Sequence, residues 1–422
     1  MRILVCGANG FIGRHLCAAL AASGHDIVRG VRTARTADEI AIDYMRDLDP
    51  QVWLPRLRGI DVVVNAVGIL AEEPGKTFNA IHREAPIALF TACVSAGIRK
   101  VIQISALGGS DPSAWTDYMR SKREADAWLA QSSLDATILR PSLVVGVDGE
   151  SSRFFRMLAS LPVIGLPGRG DQQLQPVHID DLCDAVVQAL SEGPATRTTI
   201  DVVGPAQMSY RAMLQTYRQS MALADPVWLP IPMAIMTFTA KLAGVLPQKV
   251  FSPDTLRMLQ QDNVADPAPV ARLLGRAPRS AASWFAGTSG EMLRAQAIAA
   301  WSRPMLQVAL VIVWIVTGLL SLGIYPVDQS LALLNAVGLR GSVAMIALYG
   351  AAALDIAFGV ATLVKPSRLL WRLQMLLIAG YTVIISIWLP AFWLHPFGPV
   401  LKNLPILAIL ILLDASQTRK QR

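Results

Sequence analysis

Short apolar runs alternate with helical stretches along the first part of the chain. Ile3–Cys6, Asp26–Gly30, Ala41–Asp43, Val62–Asn65, Val101–Ser105 and Thr137–Leu139 are brief and apolar, and read as strands. Between them, Ile12–Ala22, Phe78–Ala96 and Tyr118–Gln131 carry apolar stripes at helical spacing. Strand and helix in strict turn predict an α/β Rossmann-type, doubly wound parallel sheet. After Pro141 the pattern loosens, as expected for segments that shape a substrate site rather than extend a sheet.

Beyond Pro304 the apolar residues run on continuously. A bilayer span takes about 20 apolar residues in a helix. Met305–Ile324, Val343–Val364 and Leu373–Leu394 meet this, while Val400–Leu413 is shorter and needs Lys402 to snorkel. An all-α transmembrane four-helix bundle is therefore expected. Arg294 and Arg303 precede the first span, Lys365, Arg368 and Arg372 separate the second from the third, and Arg419, Lys420 and Arg422 follow the fourth. The opposite loops carry little beyond Arg340 and Lys402, so the positive-inside rule places both termini in the cytoplasm. This predicts a multi-pass protein of the cell's inner (cytoplasmic) membrane. Val227–Leu246 is also apolar, but Pro230, Pro232 and Lys241 interrupt it. An amphipathic helix that caps the site or lies on the bilayer fits better than a span. The expected domains are residues 1–225, a cap and linker at 226–300, and a membrane part at 301–422.

Composition sharpens this division. The 422 residues exceed one ordinary domain, and the 53% hydrophobic content is concentrated after Pro304. A net charge of +7 would fit a nucleic-acid partner, yet no Lys/Arg run or aromatic-basic patch accompanies it. The charge is read instead as membrane flanks and cofactor-phosphate contacts, with no nucleic acid bound. Cys6, Cys17, Cys93 and Cys183 show no CxxC spacing and fall in core-like stretches, so a reducing compartment and no metal site are expected. Met1 leads almost at once into a strand, and no signal peptide is expected.

The first chemical motif is Gly7-Ala8-Asn9-Gly10-Phe11-Ile12-Gly13, placed after a strand and opening a helix. Gly7 permits the tight turn, Gly10 lets backbone approach a pyrophosphate, and Gly13 lets helix pack close to strand. The N–H groups at the helix start then face phosphate. After the second strand, an acid would bond the ribose 2′-hydroxyl of NAD. Here Val31-Arg32-Thr33 and Arg35 follow, and Arg14 succeeds Gly13, a set suited to a 2′-phosphate. NADP(H) is therefore preferred, with NAD(H) as the alternative. Asp43 is read either as an adenine ligand or as a strand-end cap. Asn65-Ala66-Val67-Gly68 ends the fourth strand on the crevice side.

The catalytic candidates are Ser105 and the pair Tyr118 and Lys122, within Tyr118-Met119-Arg120-Ser121-Lys122. Residues four apart share a helix face. A lysine ammonium nearby would stabilise tyrosinate, bringing Tyr118 into range for proton exchange near neutral pH. Ser105, at a strand end, would hold the substrate oxygen.

In order, GANGFIG at 7–13, NAVGIL at 65–70, ISALG at 104–108, YMRSK at 118–122, LRPSLVVG at 139–146 and QPVHIDDL at 175–182 resemble the short-chain dehydrogenase/reductase superfamily. The atypical group containing the nucleotide-binding accessory subunit of complex I is most similar. The resemblance spans roughly residues 1–290. It implies a cofactor pocket of Gly7, Gly10, Phe11, Ile12, Gly13, Arg32, Asp43, Ala66, Val67, Lys122 and the Pro141–Val144 turn, with Tyr118 as acid/base. Extended members often carry Asn on the fourth helix, where this chain has His82 or nearby Asn79; His82 is read as a partly exposed helix residue. The region from about Pro304 is similar to the DoxX-like membrane family, and Asp355 falls near the middle of its second helix. There it either faces an internal polar site or bonds a neighbouring helix.

Together these readings predict a membrane-anchored NAD(P)H-dependent oxidoreductase acting on an apolar carbonyl, quinone or lipid. Two alternatives are a non-catalytic NADPH-binding module of a membrane complex, and a sugar-nucleotide epimerase or dehydratase. The lipid bilayer is the expected surrounding, with a membrane complex or a homo-oligomer as further partners.

Overall fold

The computed structural model describes residues 1–108, 116–191, 197–243 and 253–417. The chain forms two compact units, Met1–Ala297 and Ile298–Arg422. Of the segment 226–300, read from sequence as a separate cap and linker, residues 226–297 fall within the first unit.

That unit is built on strands β1 (Arg2–Cys6), β2 (Asp26–Val31), β3 (Glu39–Ala41), β4 (Val62–Asn65), β5 (Lys100–Ile104) and β6 (Ala136–Pro141), with a seventh at Thr198–Val202. The sheet order is Thr198–Val202, β6, β5, β4, β1, β2, β3, and every pair in it is parallel. Alternation along β1 decides the layers. Ile3 and Val5 face a core with Leu16, Leu20, Leu182 and Val186, while Leu4 and Cys6 face one with Trp53, Leu89, Phe90 and Cys93. Both faces are covered, which is why the strands read as continuous apolar runs. Chain order reverses beside β1, so the carboxyl ends of β1 and β4 open a crevice there.

Local departures from the sequence reading have physical causes. The third strand is Glu39–Ala41, not Ala41–Asp43, because Asp43 turns the chain: its Oδ1 accepts from the Met45 N–H at 3.0 Å. The helix expected over Phe78–Ala96 is broken into a π-type turn at Asn79–Glu84 and an α-helix at Ala85–Ala96. Pro86 lacks an N–H, and a widened turn before it absorbs the missing bond. Val227–Ile231 is a strand parallel to Val163–Pro167, followed by a helix at Met233–Ala243. Leu246 lies outside the described residues.

A third core joins Val145, Ile164, Tyr217, Trp284, Phe285 and Leu293 within the first unit. Helix Gly290–Ile324 begins in the first unit and continues into the second, which also holds Gly341–Val364 and Arg368–Trp388; these three are long and apolar enough to cross a membrane. Asn403–Ser416 has 14 residues, about 21 Å at 1.5 Å per residue, and a further helix at Val327–Ala336 had no sequence expectation. Arg419, Lys420 and Arg422 lie outside the described residues.

Candidate active site

The turn after β1 has the geometry of a phosphate cradle. Gly7 has φ +82°, a conformation that favours glycine, and a Cβ on Gly13 would stand 2.0 Å from the Gly7 oxygen. Helix and strand can meet this closely only without that side chain. A Cβ on Gly10 would meet only the Gly7 oxygen, at 3.2 Å, so the space beyond it is open. Helix α1 (Phe11–Ala22) starts at Gly10 with no side-chain cap and no acid in its first turn. The N–H groups of Phe11, Ile12 and Gly13 therefore have no acceptor within the helix, as an anion site needs. A pyrophosphate fits this cradle. Asn9 and Gly10 are exposed beside it.

Phe11 is fixed from above by the turn at 146–149, since a Cβ on Gly146 would lie 2.7 Å from its ring. The same turn supplies Asp148, which accepts from Arg14 Nε at 2.9 Å and lies 3.1 Å from His15 Nε2. This changes the role expected of Arg14: its guanidinium pairs with Asp148 rather than standing free for a 2′-phosphate. Sequence reasoning missed Asp148 because the contact spans 134 positions. Arg32 is exposed and makes no ion pair among the described residues, and it follows β2 directly. Nearby Arg29 is engaged by Asp38 and Glu39.

Asp43 keeps one carboxylate oxygen on its own turn and the other 3.6 Å from Arg46, and its side chain is about half exposed. Asn65 is buried. Its Oδ1 accepts from Tyr44 at 2.8 Å and its Nδ2 donates to Gln103 at 2.7 Å, so the side chain belongs to the scaffold and only its backbone lines the crevice. Ala66 and Val67 stand 3.1 Å from the Gly7 Cβ position. A Cβ on Gly68 would lie 3.7 Å from Lys122 Nζ and 3.6 Å from His82 Nε2, which brings the β4 loop against the catalytic candidates. Pro141 closes β6 and Val144 pairs with Val177 just beyond it, on the same edge.

Tyr118 and Lys122 lie on the helix Asp117–Gln131, whose Thr116 side chain caps it by accepting from the Met119 N–H. Both are buried, and Lys122 Nζ sits 5.7 Å from the centre of the Tyr118 ring. Burial pushes the Tyr118 hydroxyl above its ordinary range, with Asp126 adding to the effect, and lowers Lys122 to about 8. This direction is opposite to the lowering expected from a neighbouring ammonium, because burial and Asp126 both favour the neutral phenol. The result is a neutral phenol, the form that donates a proton.

Ser105 does not stand where expected. Its hydroxyl donates to Asp126 at 2.5 Å, inside a buried network that also holds Arg140 3.7 Å from Asp126. The next residue, Ala106, shares the Tyr118 cluster with Phe78, edged by Ile69, Met119 and Met258. Adjacent residues of an extended chain face opposite ways, and one position decides which reaches the site.

His82 is corrected more strongly. It is 2% exposed, not a partly exposed helix residue. Its Nε2 accepts from the Ile69 N–H at 3.0 Å, which leaves Nδ1 to donate to Ser121 Oγ at 3.3 Å. Ser121 in turn donates to the Tyr118 carbonyl at 2.9 Å. The imidazole stacks on Phe78 and meets the Tyr118 ring edge-on at 5.2 Å. Burial, and then Lys122, hold its pKa well below the ordinary value, so it is neutral. Asn79 bonds Glu84 and Arg83 on the exposed side.

These features can be set beside known proteins. The NAD dependent epimerase/dehydratase family model matches residues 3–202, and the DoxX-like family model matches residues 311–411. Mitochondrial NADH dehydrogenase [ubiquinone] 1 alpha subcomplex subunit 9 of Arabidopsis thaliana is 30% identical over 218 residues, covering 48% of this chain and 53% of that protein. Ceramide reductase of Caulobacter vibrioides is 27% identical over 191 residues, covering 44% of this chain and 59% of that protein. The chain thus spans little more than half of either relative. Among solved structures, the human epimerase family protein SDR39U1 with NADPH superposes with a TM-score of 0.53 at 18% identity, over 70% of this chain and 99% of that one. MoeE5 with UDP-glucuronic acid and NAD gives 0.52 at 20% identity, over 72% and 100%. At these identities the structures establish the fold. The chain therefore joins an N-terminal domain that matches the NAD dependent epimerase/dehydratase family to a C-terminal domain that matches the DoxX-like family.

Proposed function

We propose that the N-terminal domain is an NADPH-dependent reductase of an apolar carbonyl compound, a lipid-like ketone or a quinone, held at the membrane by the C-terminal helices. The observation that carries this is the apolar wall of Phe78, Ala106, Ile69, Met119 and Met258 around Tyr118, on whose helix face Lys122 also lies. A sugar nucleotide would need polar partners where these side chains stand.

Gly7, Gly10 and the first turn of α1 would take the pyrophosphate, Asn9 and Ile12 would border it, and Arg32 would take a 2′-phosphate. Ala66, Val67, Gly68 and the Pro141–Val144 turn would border the nicotinamide, and Lys122 its ribose. A nicotinamide dinucleotide bound there would supply the hydride that the carbonyl carbon takes up. The Tyr118 hydroxyl gives its proton to the carbonyl oxygen, completing the alcohol, and is reprotonated from solvent. Lys122, charged below pH about 8, stabilises the phenolate left behind. Similarity to a protein named ceramide reductase agrees with a lipid-like substrate.

The test is NADPH oxidation by the purified full-length protein with a long-chain ketone. Tyr118→Phe should lower turnover at least about 100-fold while NADPH still binds. Equal turnover in both proteins would exclude Tyr118 as the donor. A second reading has its own observation: Ser105 is committed to Asp126, and the Tyr118 hydroxyl makes no hydrogen bond among the described residues. Together with similarity to a complex I subunit, this fits a module that binds NADPH without turnover. Tight NADPH binding with no oxidation of it by either protein would favour that reading.

A further inference from the structure

The first and second long helices of the C-terminal unit approach closely. A Cβ on Gly318 would lie 2.9 Å from the Ala352 oxygen, and one on Gly359 would lie 2.7 Å from Ile315. Along Gly341–Val364 the buried stripe is Ala344, Leu348, Ala352, Asp355, Gly359 and Thr362. Its polar members fare differently. Thr362 accepts from Gln374 Nε2 at 2.8 Å, and Gln374 Oε1 accepts from Trp314 Nε1 at 3.0 Å. That level of the bundle is satisfied within itself.

Two turns away, roughly 10 Å along the axis, lies Asp355. It is 4% exposed, its Oδ1 is buried without a hydrogen-bond partner, and it makes no ion pair among the described residues. A polar group left so within apolar helices costs free energy that packing does not return. Tyr381, two turns beyond Gln374 on the neighbouring helix, lies within electrostatic reach of it and is half-buried. No group of three His, Cys, Asp or Glu side chains able to hold a metal occurs among the described residues, and the stripe neighbours of Asp355 toward the start of its helix, Ala352 and Leu348, are apolar.

We propose that Asp355 and Tyr381 form a binding site for the head of a neutral amphiphile, one that presents a hydroxyl group to the Asp355 carboxyl oxygen while its chain stays in hydrocarbon. A carboxyl oxygen accepts from a hydroxyl whether or not the acid is ionised. The site lies wholly within the C-terminal unit and does not depend on the reductase reading.

The probe is a long-chain primary alcohol carrying a chain diazirine and a terminal alkyne, used with the full-length protein in lipid nanodiscs. Its control is the matching hydrocarbon without the hydroxyl. Photolabelling followed by peptide mapping should place the alcohol on segment 341–388 at several times the yield of the hydrocarbon. Asp355→Leu should reduce that yield roughly tenfold, while Asp355→Asn, which keeps an acceptor oxygen, retains most of it. Equal labelling by alcohol and hydrocarbon in the unmodified protein would overturn the proposal without any variant. So would undiminished labelling of a folded Asp355→Leu protein, which would make the acid a packing feature only.

Discussion

At the scale of single residues, the glycine turn was legible because its chemistry is backbone chemistry. Gly7 needs a positive φ and Gly13 needs the absence of a Cβ, and both requirements follow from spacing alone. Gly13→Ala forces a Cβ into the Gly7 oxygen, so NADPH binding measured by nucleotide fluorescence should be lost and thermal stability reduced. Unchanged affinity would show that the turn is not the phosphate site. His82 was not legible. Its burial depends on the widened Asn79–Glu84 turn and on Ile69 arriving from another loop, neither of which leaves a pattern in the sequence. Its neutral buried state predicts a pH effect. The folded pKa lies well below the unfolded value near 6.5, so the unfolded chain binds more protons as pH falls. Stability contributed at neutral pH is then lost below about 6.5, at up to about 1.4 kcal/mol per pH unit. Urea midpoints at pH 7.5 and 5.5 should separate strongly in the native chain and less in His82→Phe. Equal separation would refute a buried neutral imidazole.

At the scale of elements, spacing recovers the strands and the Tyr118–Lys122 face, but not what that face packs against. Tyr118, Lys122 and Asp126 are buried along one side of Asp117–Gln131, so the candidate pair is followed by a carboxyl that acts on both. A strand-end serine, Ser105, is visible in the sequence, but not that its hydroxyl turns to Asp126 while Ala106 joins the Tyr118 cluster. The stripe makes a kinetic prediction. Lys122 loses its proton near pH 8, so carbonyl reduction should decline above that pH. Asp126 favours the charged lysine, so Asp126→Asn should move the decline to lower pH. A pH–rate profile unaffected by the variant would remove the carboxyl from this role.

At the scale of the molecule, hydropathy separates the units well because continuous apolar runs and alternating ones have different periods. The match of residues 3–202 to one family and 311–411 to another agrees with that division. The first apolar span, Met305–Ile324, is the later part of a helix that starts at Gly290 and runs through Pro304, and Val327–Ala336 was hidden by its neighbours' hydrophobicity. Orientation is a proposal drawn from Lys365, Arg368 and Arg372: a reporter fused after Arg422 should be active only in its cytoplasmic form, and an active periplasmic phosphatase there would invert it. The central claim is that the Tyr118 site reduces a carbonyl. The most direct measurement is a single turnover of the full-length protein with NADPH deuterated at the transferring carbon and a long-chain ketone. Mass spectrometry should find one deuterium on the carbinol carbon with unmodified protein and none above background with Tyr118→Phe. No deuterated alcohol from the unmodified protein would contradict reduction at this site.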